Sequence, residues 1–141
     1  MPVILDTDLL SLVQGENQPA GERLKSRLRL QSEPACTTVI NFEERVQGWF
    51  TVLRQASTDE RILRAYRKLL LIVEDFRTIT VLPFDAAAQQ RFVELRRQKV
   101  RIGTLDLRIA SIALANGAKL LSRNLRDFRK VPGLDIEDWT A

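Results

Sequence analysis

Two hydrophobic periods alternate along this chain: short apolar runs of strand length, and longer stretches in which apolar residues return every third or fourth position. Val3-Ile4-Leu5 reads as a strand, and Asp6-Thr7 as the cap of a helix from Asp8 to Gln14 that Gly15 stops. After Pro19, a second helix is predicted from Glu22 to Gln31, with Leu24 and Leu28 inward and a basic outer face. Ala35 to Thr38 is the next strand, running into a helix through Glu43, Glu44 and Trp49. Thr58-Asp59-Glu60 opens a long helix with Ile62, Tyr66, Leu69, Leu70, Val73 and Phe76 on one side. Ile79-Thr80-Val81 follows as a strand, then a helix from Phe84 to Val100 that ends in basic residues. Gly103-Thr104 leads into another helix that Asn116-Gly117 closes. Lys119 to Ser122 is a further strand, Asn124 to Phe128 a tight turn, and Leu134-Asp135-Ile136 a last edge strand.

Such alternation of strands and helices predicts a three-layer α/β sandwich around a mostly parallel sheet, formed by residues 1–141 as one domain. Repeats, low-complexity tracts and linkers are absent from the sequence. In folds of this class, sites form at the carboxyl ends of the strands. Asp6 follows the first strand, and Asn124 and Asp127 follow the fourth, so both strand ends should face one rim. The helices bearing Glu44 and Asp106 can lean over it.

Against this pattern two acids stand out. Asp6 ends an apolar strand, and Asp106 shares the apolar stripe of Ile109, Ala110, Ala113 and Leu114. An inward carboxylate is costly unless something positive meets it. With no histidine and a single cysteine in 141 residues, a soft metal site is excluded as the natural partner, and hard cations such as Mg²⁺ or Mn²⁺ fit instead. Asp8 reads as an ordinary acid at a helix start. Glu43 aligns with Val39, Val46 and Phe50, and Glu44 with Ile40 and Gly48. Periodicity slightly favours Glu43 for the inward face and does not decide between them. Asn124 and Asp127 fit equally well as turn caps and as site residues.

Charge adds a second theme. The formal net charge of +4 suits a polyanionic partner. The basic group Arg91, Arg96, Arg97, Lys99 and Arg101 immediately precedes Gly103, where it either forms a solvated helix face or offsets phosphate charge beside an acidic pocket. Arg123, Arg126, Arg129 and Lys130 offer the same from the last turn. Trp49 and Trp139 read as packing residues. Lone Cys36 excludes an internal disulfide and reads as a small core residue in a reducing compartment. The opening residues lack a basic start, and the longest strongly apolar run, Leu69 to Val73, is too short to span a bilayer. The expectation is therefore a cytoplasmic protein without membrane segments.

Four segments together resemble PIN-domain proteins, and within them the VapC-type toxins of bacterial type II toxin–antitoxin systems. These are Leu5-Asp6-Thr7-Asp8; Thr38 to Glu44 before Gly48; Ile102-Gly103-Thr104-Leu105-Asp106 through Ala110; and Leu121-Ser122-Arg123-Asn124-Leu125-Arg126-Asp127-Phe128 followed by Val131-Pro132-Gly133-Leu134. The likeness spans essentially the whole chain. It implies that Asp6, Glu44 and Asp106 are the first three metal-binding acids, so that here the resemblance chooses Glu44 over Glu43. Asn124 and Asp127 both match the fourth, less uniform position. Thr7 and Ser122 correspond to small hydroxyl residues lining the pocket; from the charge pattern, not the resemblance, Arg101 and Arg123 are expected as substrate contacts. The resemblance also implies a Mg²⁺- or Mn²⁺-dependent endoribonuclease acting on tRNA or another structured RNA, a homodimer, and inhibition by a small cognate antitoxin. Two other readings remain: a haloacid-dehalogenase-like phosphatase, suggested by Asp6-Thr7-Asp8 although Leu10 departs from that pattern, and a PIN-like module that binds RNA or a partner without cutting.

Overall fold

The computed structural model describes residues 1–15 and 18–141. Its elements run β1 (Val3–Leu5), α1 (Thr7–Gln14), α2 (Pro19–Arg29), β2 (Ala35–Thr38), α3 (Val39–Gln55) and α4 (Asp59–Arg77). They continue as β3 (Thr80–Leu82), α5 (Ala86–Arg97), α6 (Thr104–Ala115), β4 (Lys119–Leu121), α7 (Leu125–Phe128) and β5 (Asp135–Glu137). The five strands form one sheet in the order β3-β2-β1-β4-β5, and every pairing is parallel. Alternate side chains of these strands leave in opposite directions and seed two separate cores. Ile4, Cys36 and Leu120 pack with Phe92, Leu95, Ile109 and Ile112 of α5 and α6. Val3, Leu5 and Leu121 pack on the other face with Leu9, Leu10, Leu24, Ile72, Phe76 and Trp139. Burial on both faces explains why the strands are short, continuous apolar runs. The three layers are thus those expected, with a sheet that is wholly rather than mostly parallel.

Helix starts carry the caps that fix their positions. The Thr58 hydroxyl accepts from the Arg61 amide at 3.2 Å, opening α4. The Asp85 carboxylate accepts from the Ala88 amide at 3.0 Å, so α5 begins at Ala86 and not at Phe84. Pro19 occupies the first turn of α2, three residues before the predicted start, because a residue there needs no amide hydrogen. α5 ends at Arg97, short of Val100, because Lys99 turns into the left-handed region at φ 60°. β3 lies one residue later than predicted, and the turn after Asn124 winds into the short helix α7.

The face of α4 differs from the expectation. Ala65, Ile72 and Phe76 point inward, whereas Leu63, Tyr66, Leu70, Leu71 and Val73 are exposed. The run from Leu69 to Val73 is apolar all round, so periodicity could not choose a side. Cys36 is buried as expected; its thiol donates to the Val3 carbonyl, and burial pushes its pKa up to about 11. Trp139 is buried, with the Arg27 guanidinium 4.5 Å above its ring. Among the described residues no helix is long and apolar enough to cross a membrane.

Candidate active site

The chain reverses its direction of travel across the sheet between β1 and β4: β2 and β3 are added on one side of β1, β4 and β5 on the other. Above the carboxyl ends of these two strands lies the crevice that such a reversal leaves. Asp6 stands at the end of β1, where its amide donates to the Leu121 carbonyl at 3.0 Å. The Asp6 carboxylate also caps α1 and is held from three sides. Oδ1 accepts from the Thr7 amide at 2.9 Å and from Asn41 Nδ2 at 3.1 Å, and Oδ2 accepts from the Ser122 hydroxyl at 2.8 Å.

Asn41 was not anticipated as a site residue. It is fully buried in the first turn of α3, where its Oδ1 accepts from the Thr38 amide and hydroxyl at 3.2 and 2.6 Å, and its own amide donates to the Thr38 hydroxyl. This reciprocal cap fixes the side-chain amide and aims Nδ2 at Asp6 and at the Thr7 hydroxyl, 3.0 Å away. The Thr7 hydroxyl in turn donates to Glu44 Oε1 at 3.4 Å. The Thr-x-x-Asn spacing at 38–41 was the available signal for this role, since it marks a capping box at a strand end.

Across the crevice, Asn124 joins the remaining acids. Its Nδ2 donates to Asp127 at 3.2 Å and lies 3.5 Å from Asp106 Oδ2, while its backbone amide donates to the Ser122 hydroxyl at 3.0 Å. Ser122 therefore relays the position of the α7 turn to Asp6. Glu44 and not Glu43 is tied to this cluster, one turn along α3 from Asn41. Of the predicted site residues, Asp6, Thr7, Glu44, Asp106, Ser122, Asn124 and Asp127 are brought together. Arg123 is bound elsewhere, 3.1 Å from exposed Asp8 at the rim. Arg101 lines an adjoining cleft together with Asp127.

Electrostatics single out three of these carboxyls. Burial raises the pKa of Asp6 even though its three hydrogen bonds oppose the shift. Burial, reinforced by the charges of Asp6 and Asp106, pushes Glu44 up to about 7. Burial again, with Asp6 and Asp127 nearby, pushes Asp106 up to about 6. Among the described residues no lysine or arginine forms an ion pair with any of the three; Arg123 pairs with Asp8 and Lys130 with Asp127. The site is thus a set of oxygen donors that repel one another and lack a counter-charge, a donor chemistry suited to a hard divalent cation. Among the described residues no three such side chains converge on one point. The acids therefore do not enclose an ion by themselves. This arrangement matches the way Mg²⁺ is usually held, through one or two carboxylates with water and substrate phosphate completing the shell.

Residues 3–134 match the family described as PIN domain. The chain belongs to that family. It is 30% identical over 141 residues to the tRNA(fMet)-specific endonuclease VapC of Shigella flexneri, covering 97% of each chain. With the tRNA(fMet)-specific endonuclease VapC of Salmonella typhimurium it shares 29% identity over 128 residues, 88% of each chain. Among solved structures it superposes on a chain of DNA-bound VapBC from Salmonella typhimurium with a TM-score of 0.72 at 25% identity, covering 99% of this chain and 98% of that one. As a PIN domain, the chain places its acidic crevice at the sheet's reversal point, and the resemblance seen in the four sequence segments holds over the whole fold.

Proposed function

We propose that this PIN domain is a Mg²⁺- or Mn²⁺-dependent endoribonuclease that hydrolyses RNA phosphodiester bonds and serves as the toxin of a toxin–antitoxin pair. The observation that carries this reading is the convergence of Asp6, Glu44 and Asp106, far apart in sequence, into one crevice without a counter-charge. The VapC relatives, two of them named as tRNA(fMet)-specific endonucleases, support RNA as substrate and tRNA as its class.

Asp6 and Asp106 are the residues that would hold the metal directly, with Glu44 and Asp127 holding it through water. When bound, such an ion would supply positive charge beside a scissile phosphate and would lower the pKa of a nearby water. The protein's own groups do the rest. Three donors lock Asp6 in one orientation, so its free lone pairs are aimed before substrate arrives. Glu44 is the group that would accept the attacking water's proton: Thr7 holds its Oε1, which leaves Oε2 for that task. A chain without histidine has no imidazole for this role. Asn124 bridges Asp106 and Asp127 through its Nδ2 and so holds the two carboxyls beside each other.

The exposed apolar ridge of α4, with Leu63, Tyr66, Leu70 and Leu71, supports a protein partner: a second copy of this chain in a homodimer, or a small antitoxin. The solved relatives described as VapBC complexes support the antitoxin. The proposed setting is the cytoplasm, where such RNA resides.

The test is cleavage of bulk tRNA by the purified chain, with ends mapped by sequencing. Defined new ends should appear with Mg²⁺ and vanish with EDTA or with Asp6→Asn. Intact RNA under every metal condition would leave the non-cleaving binding module as the better reading.

A further inference from the structure

We propose that the cleft between the end of α5 and the start of α6 is a binding subsite for the phosphodiester backbone of the RNA strand flanking the cut bond; this rests on the ribonuclease reading. The cleft has a volume of about 720 Å³ and is lined by Arg96, Lys99, Arg101, Gly103 and Thr104, with Asp127 at one side. Asp127 is linked through Asn124 to Asp106, so the cleft adjoins the acidic crevice through these shared residues. A polyanion approaching three uncompensated carboxylates is repelled. A neighbouring channel with three cations to one carboxylate offsets that repulsion and fixes the strand's direction.

These cations are distinguished by lining the cleft while remaining free of carboxylates among the described residues. Arg91 pairs with Glu94, Arg123 with Asp8 and Lys130 with Asp127, whereas Arg96, Lys99 and Arg101 have no carboxylate partner among the described residues. Arg96 is pre-positioned, its guanidinium 5.6 Å above the ring of buried Phe92. Lys99 is the more telling residue. It alone among the described non-glycine residues has a positive φ, at 60°. Val100 donates to the Leu95 carbonyl and Lys99 to that of Arg96, at 3.1 and 3.0 Å, the bonding of a helix end that ordinarily carries glycine. A lysine there is strained and its exposed side chain packs against no core, so its charge is the feature that accounts for it. Gly103 shows the converse. Its φ is −55° and an added Cβ would meet nothing within 4 Å, so the backbone does not require glycine, and what the glycine leaves is an open lip beside the uncapped first amides of α6.

The test exploits the Lys99 geometry. Lys99→Gly removes the charge and relaxes the backbone, so its melting temperature should equal or exceed that of the parent chain. Arg96→Gln and Arg101→Gln complete the series. Arg97→Gln is the control, because it makes the same change in net charge on the same helix but lies outside the cleft. Binding of a short fluorescein-labelled single-stranded RNA of mixed sequence is followed by anisotropy in EDTA, across a salt series. Each cleft variant should weaken binding roughly fivefold to tenfold at low salt and reduce the slope of log K against log salt by about 0.7, the value for one lost phosphate contact on a single strand. In Mg²⁺ the same variants should raise KM for cleavage with little change in kcat. Cleft variants that bind like the parent, or an Arg97→Gln effect as large as theirs, overturn the subsite. A parent chain that cuts no RNA refutes the nuclease reading instead, and the binding series still decides the cleft.

Discussion

Replacing Asp106 by Asn should stabilise this protein, and only above the acidic range. In the metal-free chain the Asp106 carboxyl is pushed up to about 6 from 3.8 by burial and by the charges of Asp6 and Asp127. Because the folded chain binds this proton more tightly than the unfolded chain, the site imposes no cost below about pH 3.8. The cost grows through the interval and is complete above about pH 6. A difference of about two pH units corresponds to roughly 3 kcal/mol for a fully buried group, and partial solvent access at this half-buried position reduces it to about 1–1.5 kcal/mol. The amide oxygen of asparagine can still accept from Asn124, and the change also removes one of the charges that raise Glu44. For a chain of this size the gain amounts to about 3–6 °C in melting temperature at pH 8, shrinking toward zero near pH 4. Thermal unfolding followed by circular dichroism in EDTA at the two pH values reads this directly. A variant less stable than the parent at pH 8, or a gain equal at both pH values, would refute the claim that the crevice concentrates uncompensated charge. Asp6→Asn is a poorer stability probe, because the Asp6 oxygens already accept three hydrogen bonds.

Three further outcomes follow. Asn41→Ala removes a donor to Asp6 and breaks the Thr38 cap, so it should cost about 2 kcal/mol in denaturant unfolding and lower kcat more than it raises KM. Saturating Mn²⁺ at a hundred times its Kd should raise the parent's stability by about 2.7 kcal/mol. Because protons compete with the metal at Glu44 and Asp106, that stabilisation should fade as pH drops from 8 to below 6, and a pH-independent response would count against the site. Leu70→Asp alters an exposed position, so thermal stability of the isolated chain should change by no more than about 0.5 kcal/mol while light scattering or pull-down shows loss of a homodimer or antitoxin complex.

Much of this arrangement was legible in the residues themselves, for identifiable reasons. Asp6 and Asp106 stand out because charged groups occupy apolar registers, and the order of strands and helices places Asp6 and Asn124 on one rim. Other features depend on geometry that a linear pattern does not carry. Glu43 and Glu44 differ by one helical step, and the Thr7 hydroxyl and the neighbouring acids, not hydrophobic spacing, distinguish Glu44. Asn41 reads as an ordinary helix residue until the Thr38 cap is seen to hold it facing another strand's end. The basic group from Arg91 to Arg101 looks uniform in sequence. The helix period and the left-handed turn at Lys99 divide it into Arg96, Lys99 and Arg101 along the cleft and Arg91 and Arg97 outside it. The inward side of α4 was obscured because apolar residues surround that helix between Leu69 and Val73.

Calorimetric titration of Mn²⁺ into the purified chain, alongside Asp6→Asn and Asp106→Asn, probes the acidic crevice without reference to any RNA. The parent should show saturable binding near neutral pH, with proton release, and each variant should lose at least tenfold in affinity. Equal heats in all three proteins, or none in the parent, would contradict a metal site in this crevice.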